Sequence, residues 1–183
     1  MENSKIVDFI IDLFIKKGGH LYGGEAVTQL EHGLQAAHFA KEANASNELI
    51  TAALLHDIGH LLHDLPDDSV ENGIDDIHEN VGAHFLETYF KKEVVEPVKL
   101  HVAAKRYLCL VEPGYFHTLS PTSKQSLLLQ GGIMNEVEKN QFENFKFYRE
   151  AVALRKWDDL AKIVDLKVDA IECYKNNIQN ALI

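Results

Sequence analysis

The sequence has little that would support a secreted or membrane-bound protein. It contains only two cysteines, Cys109 and Cys173, which form no CxxC or other close pair, so we expect reduced thiols. The first residues lack the basic start and the small-residue cleavage site of a signal peptide. No apolar run approaches the roughly 20 residues that a membrane-spanning helix needs. We therefore expect a cytoplasmic protein without a membrane partner.

Positive charge is also scarce, because 18 Lys and Arg residues stand against 28 Asp and Glu residues, for a formal net charge of -10. Binding to a nucleic-acid backbone depends on clustered Lys and Arg, so this balance argues against a nucleic-acid partner. It leaves room for a small phosphate or phosphonate, since a metal-rich pocket or a few local bases can hold such an anion.

Internal repeats, low-complexity segments and strand-like alternation are missing as well, and apolar residues recur mostly at helical spacing. The chain of 183 residues, 46% of them hydrophobic, can bury a sizeable core. We predict an all-α protein with a single domain over residues 1–183. The predicted helices cover residues 6–17, 25–43, 78–89, 97–106, 123–129 and 136–155, with a last helix to about residue 178. A further helix is predicted to be capped by Ser46 and to run through residues 50–54 into the stretch that contains His56 and Asp57. Residues 65–76 are predicted to form an acidic surface loop.

The most informative stretch is residues 56–60, where His56 and Asp57 follow an apolar run inside a predicted helix. An unpaired carboxylate in that position would be costly to desolvate, so a bound metal is the simplest explanation. Neighbouring side chains on a helix point about 100° apart. The two can share a metal only where the helix ends at a cavity, and we expect Gly59 to supply that break.

Further candidate ligands lie on or beside other predicted helices, at spacings too long for a zinc finger or an HExxH site. Gly33 after His32 leaves room for a close helix neighbour or a metal, whereas His38 is interpreted as structural. Nitrogen and oxygen ligands suit iron, manganese or magnesium, and a bridging Asp57 would let two metals share them. The candidate metal ligands are His32, His56, Asp57, His78, His101 and Asp158.

The spacing between His101 and Lys105 adds a possible anion site. Residues four apart share a helix face, so Lys105 would lie one turn from a possible metal ligand and could hold an anion that also touches the metal. The paired glycines of residues 23–24 form a loop that can bring the backbone close to a ligand.

The order His, His-Asp, His, His, Asp resembles the HD-domain superfamily, whose metal-dependent members bind metal through an H...HD...D pattern on a helical core. A closer resemblance links the chain to the diiron phosphonate oxygenases of the PhnZ type, over about residues 22–168. The HD motif alone is common to many hydrolases, but the combination of HVAAKRYL, QGG and the pair Tyr22 and Glu25 is much more specific. The stretches that carry it are YGGEA (22–26), QLEH (29–32), HDIGH (56–60), HVAAKRYL (101–108), QGG (130–132) and WD (157–158).

This resemblance implies a helical HD-domain bundle with a buried pair of iron ions, Fe(II)/Fe(III). One iron would be held by His32, His56, Asp57 and Asp158, and the other by Asp57, His78 and His101. Tyr22 would close the open position of the second iron and swing out with Glu25 when substrate arrives. The substrate-binding positions implied for the phosphonate are His60, Lys105, Ser123, Gln130 and Arg155.

The resemblance also implies a reaction. The enzyme would use O2 to cleave the carbon-phosphorus bond of a 1-hydroxyphosphonate, such as 2-amino-1-hydroxyethylphosphonate or its trimethylammonio analogue. Phosphate would be released together with glycine or glycine betaine. The alternative is a metal-dependent HD phosphohydrolase acting on a nucleotide or phosphomonoester, which needs a metal-bound water and no redox change. A polyol oxygenase similar to myo-inositol oxygenase and a non-catalytic HD module are further alternatives.

Overall fold

The computed structural model describes residues 3–62 and 77–183, and within these ranges the fold is helical, as predicted. Its only pairings of β type there are two isolated bridges, Leu21 with Thr28 and Phe90 with Leu182. The predicted acidic loop of residues 65–76 lies outside the described residues. The helices are α1 (Asn3–Lys17), α2 (Gln29–Glu42), α3 (Asn47–Leu55), α4 (Ile58–Leu62), α5 (His78–Leu86), α6 (Lys92–Val111), α7 (Tyr115–Thr118), α8 (Pro121–Leu129), α9 (Glu136–Glu143), α10 (Tyr148–Leu160) and α11 (Lys175–Asn180).

The long helix α6 lies at the centre of the bundle and packs against α3, α5 and α10, while α2 packs against α3 and α10. The main apolar core draws on helices from both ends of the chain, because the buried face of α1 and the C-terminal helix α11 contribute to the same cluster. None of the described helices combines the length and apolar character needed to cross a bilayer.

Two glycines allow unusually close approaches between helices. A Cβ atom on Gly33 of α2 would lie 2.8 Å from the carbonyl oxygen of Leu54, so the small residue lets α2 and α3 meet, as the sequence predicted. A Cβ atom on Gly59 of α4 would lie 2.1 Å from the carbonyl oxygen of His78. Any larger side chain at either position would push apart two helices that carry candidate ligands.

Capping side chains decide where two of the helices begin. Thr28 caps α2 and forms a reciprocal capping box with Glu31, so this helix begins at Gln29 and not at residue 25 as predicted. Ser120 caps α8 with Pro121 in its first turn, so this helix begins before residue 123. Residues 20–28 instead form a loop closed by the Leu21–Thr28 bridge, which we call the Tyr22 loop.

The C-terminal third differs most from the prediction. The predicted helix over residues 136–155 is two helices, α9 and α10, separated by residues 144–147. The residues Asp158 and Asp159, predicted to follow that helix, lie inside α10, where Arg155 pairs with both of them at spacings of three and four. The predicted last helix is reduced to a 3-10 turn, Ile171–Tyr174, followed by the short α11, and residues 161–170 are irregular.

Candidate functional site

The candidate metal cluster is built around a break between α3 and α4. Helix α3 ends at Leu55 and α4 begins at Ile58, so His56 and Asp57 occupy the turn between them. The break therefore precedes Gly59, which lies inside α4 and provides the close approach to His78 described above. Because the chain turns here, two consecutive side chains can point toward one centre, which a continuous helix would prevent.

Backbone carbonyls fix the orientation of three histidine rings. The Nδ1 atom of His32 lies 2.8 Å from the carbonyl oxygen of Ala161, and that of His56 lies 2.8 Å from the oxygen of Ala53. The Nδ1 atom of His101 lies 2.7 Å from the carbonyl oxygen of its own helix at position 98. A carbonyl only accepts, so Nδ1 carries the proton in each ring, and Nε2 of the neutral ring keeps a lone pair.

These Nε2 atoms meet in pairs. The Nε2 atoms of His32 and His56 are 3.1 Å apart, and those of His78 and His101 are 3.2 Å apart. Two nitrogens that bind one ion at about 2.1 Å and roughly at right angles lie about 3.0 Å apart. The spacing of each pair therefore fits a shared metal ion.

Asp57 divides its two carboxylate oxygens between the pairs. Its Oδ2 atom lies 3.6 Å from Nε2 of His32 and 3.4 Å from Nε2 of His56. Its Oδ1 atom lies 3.3 Å from Nε2 of His78 and 3.4 Å from Nε2 of His101. Both oxygens are buried, and neither has a hydrogen-bond partner among the described residues. A buried carboxylate so placed fits a bridge between two cations.

Asp158 adds a second carboxylate to the first pair. Its Oδ1 atom lies 3.3 Å from Nε2 of His32 and is buried without a hydrogen-bond partner in the part of the chain that the structure describes. Its Oδ2 atom accepts a hydrogen bond of 2.7 Å from Arg155. Arg155 also donates to Asp159 and to the hydroxyl of Tyr115, which itself donates to Asp159. This network fixes the direction in which Asp158 presents its free oxygen.

The pKa values in the cluster follow from burial set against opposite charge. Burial would raise the pKa of Asp57, but His56 and His78 outweigh it and hold that pKa well below the usual range. Burial lowers the pKa of His101 to about 4. Burial also opposes protonation of His32, yet the carboxylates of Asp158 and Asp57 raise its pKa to about 9. Metal binding at the first pair would therefore displace a proton, and the affinity for the metal would decrease as the pH is lowered.

The Tyr22 loop covers the first pair of histidines. The Tyr22 ring stacks on the His32 ring with centroids 3.8 Å apart and planes 12° from parallel. Gly23 and Gly24 adopt φ values of 43° and 77°, which lets the chain turn back so that the Tyr22 amide donates to the carbonyl oxygen of Val27. Burial, with the nearby carboxylates, raises the pKa of the phenol well above its ordinary value, so Tyr22 stays neutral.

Positively charged and hydroxyl side chains form a candidate anion site beside the cluster. We call it the anion pocket and define it by Lys105, Ser123, Ser126 and Arg155. Lys105 is buried, and its Nζ atom donates a hydrogen bond of 2.7 Å to Ser126, whose hydroxyl donates to the carbonyl oxygen of Ser123. Burial, together with the charge of Arg155, lowers the pKa of Lys105 to about 7. The pocket therefore gathers cationic side chains in a protein whose net charge is strongly negative.

The other predicted site residues lie around these two groups. The His60 ring stacks on the His78 ring with centroids 4.2 Å apart. Gln130 forms the C-cap of α8, and its buried Oε1 atom has no hydrogen-bond partner among the described residues. Glu25 accepts a hydrogen bond of 3.1 Å from Lys162. The structure thus places His60 beside the cluster and Glu25 beside Lys162, while Gln130 ends the helix that carries Ser123.

Sequence reasoning missed several residues that complete this region. Arg106 donates to the carbonyl oxygens of Gly131 and Gly132 and so fixes the turn after Gln130. Tyr115 and Asp159 orient Arg155, and the spacing of four between Arg155 and Asp159 was the one signal that could have shown this. Lys162 belongs to no motif and follows α10 in an irregular segment.

Comparison with known proteins gives one family and three relatives. The HD domain family matches residues 30–130. A hydroxymethylphosphonate dioxygenase of Gimesia maris is 50% identical over 165 residues, which cover 90% of this chain and 82% of the relative. A 1-hydroxy-2-(trimethylamino)ethylphosphonate dioxygenase of Leisingera caerulea, named as forming glycine betaine, is 40% identical over 167 residues, 91% of this chain and 85% of the relative. An uncharacterized protein of Acanthamoeba polyphaga mimivirus is 38% identical over 173 residues, 93% and 78% of the two chains.

Proposed function

This chain belongs to the HD-domain family, in the branch that contains the phosphonate dioxygenases, and on that premise we propose that it uses O2 to cleave the carbon-phosphorus bond of a 1-hydroxyphosphonate. One O2 per substrate balances the reaction, because the carbon that bears the hydroxyl becomes a carboxylic acid and the phosphonate leaves as phosphate. Hydroxymethylphosphonate would give formate and phosphate, whereas 2-amino-1-hydroxyethylphosphonate would give glycine and phosphate. The trimethylammonio analogue would give glycine betaine.

We propose that the cofactor is a pair of iron ions in the Fe(II)/Fe(III) state. His32, His56, Asp57 and Asp158 would hold one ion, and Asp57, His78 and His101 the other. When bound, the irons would supply the redox chemistry with O2 that oxidises the hydroxyl-bearing carbon. The observation that carries the proposal is the division of the Asp57 oxygens between two histidine pairs, since both oxygens are buried and free of hydrogen bonds among the described residues. The spacing of the histidine nitrogens supports the same assignment.

The anion pocket would bind the phosphonate group of the substrate. Lys105 lies one helical turn after His101, so an anion held by its ammonium reaches the second metal position. A dianionic phosphonate needs charge-assisted donors, and Arg155 and the hydroxyl of Ser123 can add to those of Lys105. The proposed binding residues are His60, Lys105, Ser123, Gln130 and Arg155.

Tyr22 and Glu25 would control access to the metals. A neutral phenol stacked on His32 shields the cluster from O2 as long as no substrate is present. Entry of a substrate would require Tyr22 to move away together with Glu25. A gate of this kind has no purpose in a phosphohydrolase, whose attacking water must reach the metal freely.

The experiment that tests this function measures O2 uptake and phosphate release together. Iron-loaded, partly reduced protein is mixed with hydroxymethylphosphonate, 2-amino-1-hydroxyethylphosphonate or the trimethylammonio analogue, and electron paramagnetic resonance is recorded before and after each addition. We expect a coupled Fe(II)/Fe(III) signal that changes with substrate, and equal amounts of O2 consumed and phosphate formed. The substrate that gives the highest kcat/KM identifies which group the enzyme accepts on the hydroxyl-bearing carbon.

Two controls make the result decisive. The Asp57→Asn variant keeps the shape of the side chain but removes the bridging charge, so neither the signal nor O2 uptake should survive. Magnesium-loaded or manganese-loaded protein is assayed without O2 on phosphomonoesters. Phosphate release in that arm, with no turnover of any hydroxyphosphonate, would assign the protein to the phosphohydrolases.

A further inference from the structure

One lysine connects the Tyr22 loop to the anion pocket. The Nζ atom of Lys162 donates hydrogen bonds to Oε1 of Glu25 at 3.1 Å, to the hydroxyl of Ser123 at 3.0 Å and to the hydroxyl of Ser120 at 3.4 Å. The same atom lies 5.6 Å from the centroid of the Tyr22 ring, within cation-π distance. The side chain is only 14% exposed, so these contacts are shielded from solvent.

All three N–H groups of the Lys162 ammonium are therefore occupied. A lysine has three donors, and the three oxygens named above accept them. Any anion that binds to Ser123 comes within reach of Nζ without movement of the backbone, but it must replace one of the present acceptors. A dianionic phosphonate attracts the ammonium more strongly than the single charge of Glu25 does, and it repels that carboxylate.

We propose that Lys162 is a positioning residue that couples anion binding to the release of the Tyr22 loop. In the free protein its ammonium holds Glu25 and the Tyr22 ring over the metal cluster. When a phosphonate or phosphate enters the anion pocket, the ammonium transfers from Glu25 to the anion, and the loop loses its anchor. The proposal rests on the proposed function and adds to it a cause for the movement of Tyr22.

The two partners in this exchange should have opposite effects on anion binding. Lys162→Gln removes a donor to the anion, so the dissociation constant for inorganic phosphate should rise by roughly 10- to 100-fold. Glu25→Gln removes the competing acceptor and leaves Lys162 available, so phosphate should bind as tightly as before or more tightly. Both variants should release the loop in the absence of any anion. A merely structural ion pair would predict weaker binding, or no change, in both.

The test combines phosphate titration with hydrogen exchange on anaerobic, metal-loaded protein. The amides of Tyr22 and Glu25 donate to carbonyl oxygens within the Tyr22 loop, and the amide of Gln29 donates to the carbonyl oxygen of His20. Exchange of a peptide covering residues 20–29 therefore reports on opening of the loop. In the unmodified protein we expect slow exchange that accelerates when inorganic phosphate is added. In Lys162→Gln exchange should be fast from the start and insensitive to phosphate, and Lys162→Arg should restore the response.

A matched control is Lys156→Gln. Lys156 lies in α10, shortly before Lys162, and its substitution removes only an exposed ion pair with Glu112, so this variant should behave like the unmodified protein. Equal loop exchange in Lys162→Gln and the unmodified protein, or an unchanged phosphate dissociation constant, would overturn the proposal. Neither readout uses turnover, and phosphate would bind to a phosphohydrolase as well. Failure of the proposed role of Lys162 is thus distinguishable from failure of the oxygenase assignment.

Discussion

The candidate metal cluster and the candidate anion pocket lie side by side, yet they would bind an ion in opposite ways. In the metal cluster, lone pairs and carboxylate oxygens point inward, and Asp57 and Asp158 keep oxygens without hydrogen bonds among the described residues. In the anion pocket, the donors already have partners: Ser126 accepts from Lys105, and Asp158 and Asp159 accept from Arg155. The cluster therefore fits a cation without rearrangement, whereas the pocket would have to exchange internal partners for an anion.

This difference predicts how each half responds to change. In the cluster each ligand would contact a metal ion directly and Asp57 would contact both, so loss of this shared ligand should affect both metal positions. In the anion pocket several donors would each add a hydrogen bond to the anion, so loss of one donor should weaken anion binding without abolishing it. The following variants test this contrast, from the largest expected effect to the smallest.

The largest effect is expected at Asp57, the residue shared by the two histidine pairs. In Asp57→Ala both metal positions lose a ligand, so metal content and O2-dependent phosphate release should fall to background. Asp158→Ala removes a ligand from the His32 and His56 pair only, so it should lower the metal content by about half. Elemental analysis after dialysis measures both. Equal retention of metal in the two variants would contradict the bridging role.

The next effect concerns Arg155, which neutralises Asp158 inside α10. In Arg155→Met the buried carboxylate loses its partner, and the metal-free protein should lose about 3–5 kcal/mol of unfolding free energy. Lys156→Met is the control, because it removes only the exposed pair with Glu112 and should cost less than about 1 kcal/mol. Urea unfolding followed by circular dichroism measures the two values. Similar losses in both variants would show that Arg155 does not neutralise Asp158 as proposed.

Lys105 should affect the anion and leave the metals in place. In Lys105→Met the dissociation constant for inorganic phosphate should rise by roughly 10- to 100-fold, because one charge-assisted hydrogen bond is lost. Metal content should be unchanged. Lys124→Met, which removes a partly exposed lysine of α8 that donates to the carbonyl oxygen of His117, should leave phosphate binding unaffected. Isothermal titration calorimetry of metal-loaded protein gives the dissociation constants. Loss of metal in Lys105→Met would show that the metal cluster and the anion pocket do not act separately.

The pH dependence of phosphate binding isolates the charge of Lys105. Its pKa is lowered to about 7 by burial and by Arg155, so the ammonium form dominates below that pH and is lost as the pH rises through it. In Lys105→Arg the charge persists, since a guanidinium stays protonated. The ratio of the dissociation constant of the unmodified protein to that of Lys105→Arg should therefore increase from about pH 6 to about pH 9. The ratio cancels the titration of phosphate itself, and a flat ratio would mean that Lys105 stays charged.

The smallest effect is expected at Tyr22. In Tyr22→Phe the ring can still stack on His32, but the hydroxyl that shields the metals is gone. Reduced, substrate-free protein should consume O2 a few-fold faster, as measured with an oxygen electrode. Tyr148→Phe removes a hydroxyl that accepts a hydrogen bond from exposed Arg149 and should leave the rate unchanged. An unchanged rate in Tyr22→Phe would remove the gating argument.

Much of the fold was predictable, because helical periodicity is a local property of the sequence. The helical character of α1, α2, α3, α5, α6 and α8 followed from apolar residues at spacings of three and four. The prediction failed at Asp158 and Asp159, because the predicted helix ended at residue 155. Their pairing with Arg155 one turn earlier stabilises the helix instead, and such a pairing outweighs the low helix propensity of aspartate.

The sequence by itself determined which residues are able to bind metal and anion, because the residue types and their order along helices define the available donors. Only the tertiary structure decided how they meet. The split of the Asp57 oxygens depends on the turn between α3 and α4 and on rings supplied by three other helices. Lys162 and Glu25 are 137 positions apart in the sequence, and Lys162 lies in an irregular segment. Contacts of that kind have no periodic signature, since they arise from packing between distant segments and not from local geometry.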